Sequence, residues 1–263
     1  MLKFCSLYSG SSGNSLFIES ENTKILVDAG VSAKKIADGL DSINIDPTNL
    51  SAILVTHEHT DHIQGLGTLS KKFNIPVYAT QKTWDAMNNQ KEKITDNNKL
   101  LFNIEENFEI GDLKIHPFKT PHDAADSCGF SITNNNQKIS IATDLGHLNT
   151  KIFDAVEGSK FILLEANYDP EVLKCCSYPY QLKTRISGKD GHLSNNLAGQ
   201  TVAHLINSGL KSVMLGHLSK ESNFPELAYK TVVEELYKFD YDENTVEINV
   251  ASRFEPTKII EVS

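Results

Sequence analysis

The run Thr56-His57-Glu58-His59-Thr60-Asp61-His62 places His57, His59, Asp61 and His62, all metal-ligand residue types, within six positions. It directly follows Ala52-Ile53-Leu54-Val55, an apolar stretch that reads as a buried strand. In an extended segment residues two apart point the same way, so His57 and His59 can converge on one ion. Asp61 and His62 come where the chain turns toward a helix expected over 63–72, and they can face a second point nearby. Neutral imidazole and carboxylate oxygen are common ligands for zinc and manganese. The bland alternative is a polar loop rich in His. A strand followed by HxHxDH is far more specific than a lone His pair.

The elements that must position this motif can be read coarsely. With 263 residues and 40% apolar content, the chain can bury a sizeable core. Strands are expected at 2–8, 16–19, 24–28, 77–79, 161–165 and 244–250. Helices are expected at 32–42, 80–90, 194–207 and 225–237, with Ser194 as an N-cap and Pro225 near a first position. Hairpins are expected over 107–118, turning at Gly111-Asp112, and over 127–144, turning at Asn134-Asn135-Asn136. No Pro/Gly/Ser-rich linker divides the chain, so one domain over 1–263 is expected. Periodicity alone gives a mixed α/β protein with antiparallel hairpins.

Composition excludes some classes. No run of 18 apolar residues exists, which argues against a membrane span, and the N-terminus lacks the apolar core of a signal peptide. Cys5, Cys128, Cys175 and Cys176 lack CxxC spacing and read as reduced thiols of a cytoplasmic protein. A net charge of −9 sits awkwardly with nucleic-acid binding. Two features offset it: bound divalent ions would add about four positive charges in the site, and 174–189 concentrates Lys174, Lys183, Arg185 and Lys189.

The 56–62 motif resembles that of the metallo-β-lactamase superfamily of metal-dependent hydrolases. That superfamily places a third His, a metal-bridging Asp and a last His downstream, each after a strand. His122 follows Leu113-Lys114-Ile115-His116-Pro117-Phe118, Asp144 ends 138–144, and His217 follows Ser212-Val213-Met214-Leu215-Gly216. The resemblance implies that His57, His59 and His122 hold a first metal. Asp61, His62 and His217 then hold a second, with Asp144 bridging. It also implies a four-layer αββα sandwich, two mixed sheets with outer helices, over essentially the whole chain. Asp28 resembles the superfamily's Asp that supports the metal loop without binding metal.

Three further stretches are similar to the YycJ/WalJ-type branch, regarded as metal-dependent exonucleases. They are Tyr8-Ser9-Gly10-Ser11-Ser12-Gly13-Asn14-Ser15, Leu163-Leu164-Glu165-Ala166-Asn167-Tyr168-Asp169, and Arg185-Ile186-Ser187-Gly188-Lys189-Asp190-Gly191-His192-Leu193-Ser194-Asn195. Gly216-His217-Leu218-Ser219 joins them. The branch implies a dinuclear phosphodiesterase with two divalent ions, Zn2+ or Mn2+, acting on DNA from a 5′ end. Two ions can lower the pKa of a shared water toward ~7 for attack on phosphorus.

His192, in a Gly-flanked loop outside the ligand set, is the candidate general acid, and Glu165 the carboxylate that orients it. Asp61 is a candidate to accept a hydrogen bond from the attacking water. Arg185, Ser12 and Asn14 are candidate substrate contacts, Arg185 for its fork of donors and the 9–15 loop for its hydroxyls and amides. Each has a plainer rival. His192 would serve as a helix-capping residue, Glu165 as a structural carboxylate paired with Arg185, and the 9–15 loop as a hairpin turn. His116, His147 and His204 match no ligand position and read as packing or surface residues. Tyr168, Tyr178 and Tyr180 read as core or rim packing rather than base-stacking residues. The functional alternatives are an RNA-processing nuclease, a thioester or lactam hydrolase, and a non-enzymatic scaffold whose metal only stabilises the fold.

Overall fold

The computed structural model describes residues 1–87, 89–242 and 244–262. Its first half runs β1 (Leu2–Tyr8), β2 (Ser15–Glu19), β3 (Lys24–Val27), α1 (Ala33–Ser42), β4 (Ala52–Leu54), α2 (Thr60–Ile63), α3 (Leu66–Phe73), β5 (Val77–Ala79), α4 (Gln81–Ala86) and β6 (Lys99–Leu101). There follow β7 (Phe108–Ile110), β8 (Leu113–Lys119), β9 (Cys128–Asn134), β10 (Gln137–Ala142), α5 (Thr150–Val156) and β11 (Phe161–Glu165). The chain ends α6 (Pro170–Cys175), α7 (Tyr180–Ile186), α8 (Asn195–Ile206), β12 (Ser212–Gly216), α9 (Pro225–Tyr237), β13 (Glu247–Val250) and β14 (Ile260–Val262).

Two seven-stranded sheets result, ordered β14-β1-β2-β3-β4-β5-β6 and β13-β12-β11-β10-β9-β8-β7. The side-chain period of two sorts each central strand between layers. In β11, Phe161 and Leu163 enter the core between the sheets, while Ile162 and Leu164 face the helices. In β4, Ala52 and Leu54 face the inter-sheet core, and Ile53 with the following Val55 faces the other way. Residues of α1, α3 and α4 close the outer face of the first sheet, and those of α5, α8 and α9 that of the second. This is the expected αββα sandwich. No helix among the described residues is long and apolar enough to cross a membrane.

Several elements differ from the sequence reading. The helix expected over 63–72 is two pieces, α2 and α3, separated at Gly65. A Cβ there would lie 2.2 Å from the Val31 carbonyl, so the chain crosses too closely for any side chain. The helix expected over 80–90 ends at Ala86, because Met87 turns extended with φ −65° and ψ 114°; Asn88 lies outside the described residues. The strand expected over 244–250 begins at Glu247. Three-residue β14 was not expected; it pairs antiparallel with β1, joining the two ends of the chain.

The topology explains where the site forms. β3 and β4 are parallel. β10, β11 and β12 are parallel, and β8 runs with them because both β8 and β10 are antiparallel to β9. The C-terminal ends of these strands carry Asp28, His57, His122, Asp144, Glu165 and His217 to one edge of the sandwich.

Candidate metal centre

Three of these strand ends have left-handed backbone at residues other than glycine: Asp28 (φ 64°), Asp144 (φ 56°) and His217 (φ 55°). Such a conformation costs on the order of 1 kcal/mol each and persists where the surroundings impose it. Here it turns each side chain inward to a common point.

His57, His59 and His122 form a first cluster. His59 Nδ1 lies 3.0 Å from His57 Nε2 and 3.3 Å from His122 Nε2. For His122 and His57 the outer nitrogens fix the tautomers. His122 Nδ1 is 3.1 Å from the Gly191 carbonyl, which only accepts, so the proton sits on Nδ1. The Thr56 hydroxyl donates to Asp28 and therefore accepts from His57 Nδ1 at 3.0 Å. Each Nε2 then turns a lone pair inward. Burial, followed by the neighbouring histidines, holds His57 well below the usual imidazole range, and burial also lowers His122.

Asp61, His62 and His217 form the second cluster. His62 Nδ1 donates to Asp28 at 2.7 Å and His217 Nδ1 to Glu165 at 2.9 Å. Both Nε2 atoms face Asp61 Oδ2, at 3.5 and 3.4 Å. Asp144 stands between the clusters: its Oδ2 is 3.3 Å from His62 Nε2, and its Oδ1 is 3.6 Å from His217 and 3.7 Å from His122. Burial opposes charge here, but the carboxylates overcome it. Asp144, Asp28 and Asp61 raise His62 well above the usual range, and Asp144, Asp61 and Glu165 push His217 up to about 10. In turn, although burial would raise them, Asp61 and Asp144 are held below the usual carboxylate range by the facing histidines.

The donor set fits divalent cations. Inward nitrogens of three imidazoles converge at 3.0–3.3 Å, with lone pairs turned inward on His57 and His122. Buried Asp144 Oδ2 makes no hydrogen bond; its nearest charge is the His62 imidazole at 3.3 Å, whose proton a divalent cation would replace. An all-nitrogen-and-oxygen set of this kind suits a divalent metal.

Glu165 is fully buried and accepts four hydrogen bonds. They come from His192 Nδ1 (2.8 Å), His217 Nδ1 (2.9 Å), Leu145 N (3.0 Å) and Leu193 N (3.1 Å). Burial would raise its carboxyl, but His192 and His217 hold it below the usual range. Its expected rival partner, Arg185, lies elsewhere. The Arg185 fork holds Asp123, Nη2 to Oδ1 at 3.0 Å, and is 49% exposed. Asp123 is in turn 3.5 Å from His122.

The 9–14 loop is fastened to the site. Asn14 is buried; its Oδ1 accepts from Gly10 N, and its Nδ2 contacts the Asp61 carbonyl (3.3 Å) and His62 Nε2 (3.2 Å). Ser12 is exposed at the tip, where its hydroxyl accepts from Arg253. Gly30 lets the Asp61 turn pack down, since a Cβ there would lie 1.6 Å from the Asp61 carbonyl. His116 bonds Asn107, His147 bonds the Lys189 carbonyl, and His204 packs on Phe153, all away from the two clusters. Tyr168 is buried and Tyr178 half-buried, but Tyr180 is 82% exposed.

Four residues that sequence reasoning did not single out complete the site. Thr56 links Asp28 to His57. Ser9 Oγ accepts from His217 N at 2.9 Å, and Asn167 Nδ2 donates to the His217 carbonyl at 2.8 Å. Arg253 reaches the Leu218 carbonyl. Ser9 and Asn167 stand inside stretches that carried the family resemblance; nothing local marked Arg253.

Residues 23–218 match the family described as the beta-lactamase superfamily domain. The chain is 40% identical over 240 residues to the exodeoxyribonuclease WalJ of Streptococcus pneumoniae, covering 90% of this chain and 89% of that protein. It is 37% identical over 235 residues to the exodeoxyribonuclease YycJ of Bacillus anthracis, covering 89% of each. In fold it is similar to YhfI of Bacillus subtilis, a metallo-beta-lactamase fold protein. The TM-score is 0.72 at 18% identity, over 98% of this chain and 100% of that one. At such identity over nine-tenths of its length, and on this fold, the chain belongs to the metallo-β-lactamase superfamily of hydrolases, in its WalJ/YycJ branch.

Proposed function

We propose that this protein is a dinuclear metal-dependent phosphodiesterase that degrades DNA from a 5′ end, working in the cytoplasm as the single domain 1–263. The observation that carries the reading is Asp144 standing between two ligand clusters, in a chain 40% identical to an exodeoxyribonuclease. His57, His59 and His122 would hold one ion, Asp61, His62 and His217 the other, and Asp144 both. Zinc and manganese both suit these ligands. When bound, the ions supply an activated water and neutralise charge on the phosphate.

The chain's own groups do the rest. Asp61, the most exposed carboxylate of the second cluster, accepts a hydrogen bond from the attacking water. His192 keeps its Nδ1 proton on Glu165, which leaves Nε2 to carry the proton that the departing oxygen takes. Glu165 cannot swing away, because two backbone amides and His217 hold it. At 14% exposure, the His192 side chain is buried enough to be oriented and open enough to meet substrate. The choice of DNA rests on the activity named for the Streptococcus and Bacillus relatives.

The test is metal-stripped protein with 5′-phosphorylated, 3′-labelled duplex DNA, with Mn2+ or Zn2+ restored, beside His59→Ala. Metal-dependent shortening by the wild type alone is expected. No shortening with either ion, at two metals bound per chain, would overturn the DNA reading; RNA and then thioesters would be tried next.

A further inference from the structure

The site has two arginines on its rim, and only one has a carboxylate. Arg185 is held by Asp123. Arg253, which follows the last strand of the second sheet, is half-buried, yet no carboxylate among the described residues reaches it. Its Nη1 donates to Ser12 Oγ at 3.1 Å and Ser11 Oγ at 3.4 Å, and its Nη2 to the carbonyl of Leu218, next to His217. A guanidinium has five donors, so donors remain over. A cation partly withdrawn from water without a counter-charge is costly, and an anionic ligand would relieve that cost.

The surroundings are built to keep this group in place. The 9–14 loop is tied to both halves of the second cluster, through Ser9 Oγ on His217 N and through Asn14 on Asp61 and His62. Gly10 makes room for the guanidinium, since a Cβ there would lie 2.8 Å from Nη1. Ser11 and Ser12 are exposed. Because their oxygens accept from Nη1, their O–H groups are free to donate outward. One guanidinium and two hydroxyl donors therefore converge, with no carboxylate among the described residues paired to them, next to the turn that carries His217. That is the donor set that binds a phosphate.

We propose that Arg253, Ser11 and Ser12 form a clasp that seats a non-scissile phosphate of the nucleic-acid strand and so sets the register of cleavage. This rests on the phosphodiesterase reading above. The seated group is either the terminal 5′-phosphate or an internal backbone phosphate, and the same three residues serve both.

The test measures binding apart from turnover. Fluorescence anisotropy of a single-stranded oligonucleotide, with 5′-phosphate or 5′-hydroxyl, is followed across a salt series. Wild type is compared with Arg253→Ala, Arg253→Lys and the double variant Ser11→Ala/Ser12→Ala. Arg253→Ala is expected to weaken binding about tenfold and to lower the slope of log affinity against log salt by about one. Arg253→Lys should restore the slope but only part of the affinity, and the serine pair should lose affinity with the slope intact. A preference for the 5′-phosphate that vanishes in Arg253→Ala identifies the terminal group; equal weakening on both oligonucleotides identifies an internal phosphate. Unchanged affinity and slope in Arg253→Ala overturn the clasp, as does weakening accompanied by lost metal and a lower Tm in every variant, which marks a purely structural arginine. A wild type that binds the oligonucleotide but shortens no DNA overturns the phosphodiesterase reading instead.

Discussion

The two ligand clusters share one carboxylate and differ in almost everything else. The first is three imidazoles with no carboxylate of its own, and burial keeps His57 and His122 neutral. The second sets two imidazoles among Asp28, Asp61, Asp144 and Glu165, which keep His62 and His217 charged in the absence of metal. Proximity of ligand types is therefore not the whole description of such a site. One half presents lone pairs ready for a cation, while the other already holds its positive charge as protons that a cation must displace.

The largest effect should come from the residue that joins the halves. Asp144→Asn keeps the shape and removes the charge that faces His62, His122 and His217. Activity should fall on the order of 10³-fold, the scale for losing a directly acting charge, and metal analysis should show fewer ions at both clusters. Loss confined to one ion would mean that Asp144 serves a single cluster. Glu165→Gln should act on one side only. It weakens the anchors of His192 and His217, so a fall of about 10–100-fold is expected, the usual scale for a ligand's outer partner. Zinc or manganese bound through the first cluster should remain. Equal loss of both ions would contradict the separation.

The protonation difference can be tested directly. His217 is pushed up to about 10, above an unfolded value near ~6.5, so its charge stabilises the metal-free fold fully below pH ~6.5. That contribution is lost as pH rises through about 10. Asp61, Asp144 and Glu165 are depressed, so theirs is present above pH ~4 and is lost as pH falls further. Metal-free protein should therefore be most stable between those limits and its Tm should decline into alkali. The metal-loaded protein should not show that decline, since its histidines are already neutral. Titrating metal at pH 7 in buffers of differing ionisation heat should reveal roughly two protons released, from His62 and His217. No proton release would show that the second cluster is neutral before metal arrives.

The same contrast governs what the sequence made legible. The 57–62 ligands are contiguous after a strand, so spacing alone exposed them. His122, Asp144, Glu165 and His217 each follow or end a different strand. Only the resemblance placed them together, because their meeting depends on β8, β10, β11 and β12 running the same way in one sheet. The sandwich likewise came from the resemblance: β4 and β11 are apolar on both faces, so their sequences mark them as buried strands without saying which face meets the other sheet. β14 was not legible, being three residues long and paired with a strand at the other end of the chain. α6 and α7 were not, since elements of six and seven residues carry too few turns for a periodic signal. Arg253 and Asp123 left no local trace at all. What each arginine does is decided by which anion the fold brings within reach, and that is a tertiary fact.

The smallest expected effect lies at the rim. Arg185 was the sequence's candidate phosphate contact, and it does stand near the first cluster, in the last turn of α7. Yet its fork already holds Asp123, a half-exposed pair of the kind worth little to stability. For Arg185 to offer phosphate its full charge, it must leave Asp123 and release a carboxylate beside His122, toward the imidazole cluster. That exchange nearly cancels: one cation gained by the substrate, one anion exposed near it. Arg185→Ala should therefore raise KM for DNA only about two- to threefold, with kcat and Tm close to wild type. Asp123→Asn frees the guanidinium and should lower KM by a similar factor. If Arg185→Ala instead costs tenfold or more, Arg185 breaks its pair in the complex, and the imidazole side of the site grips the strand as firmly as the carboxylate side.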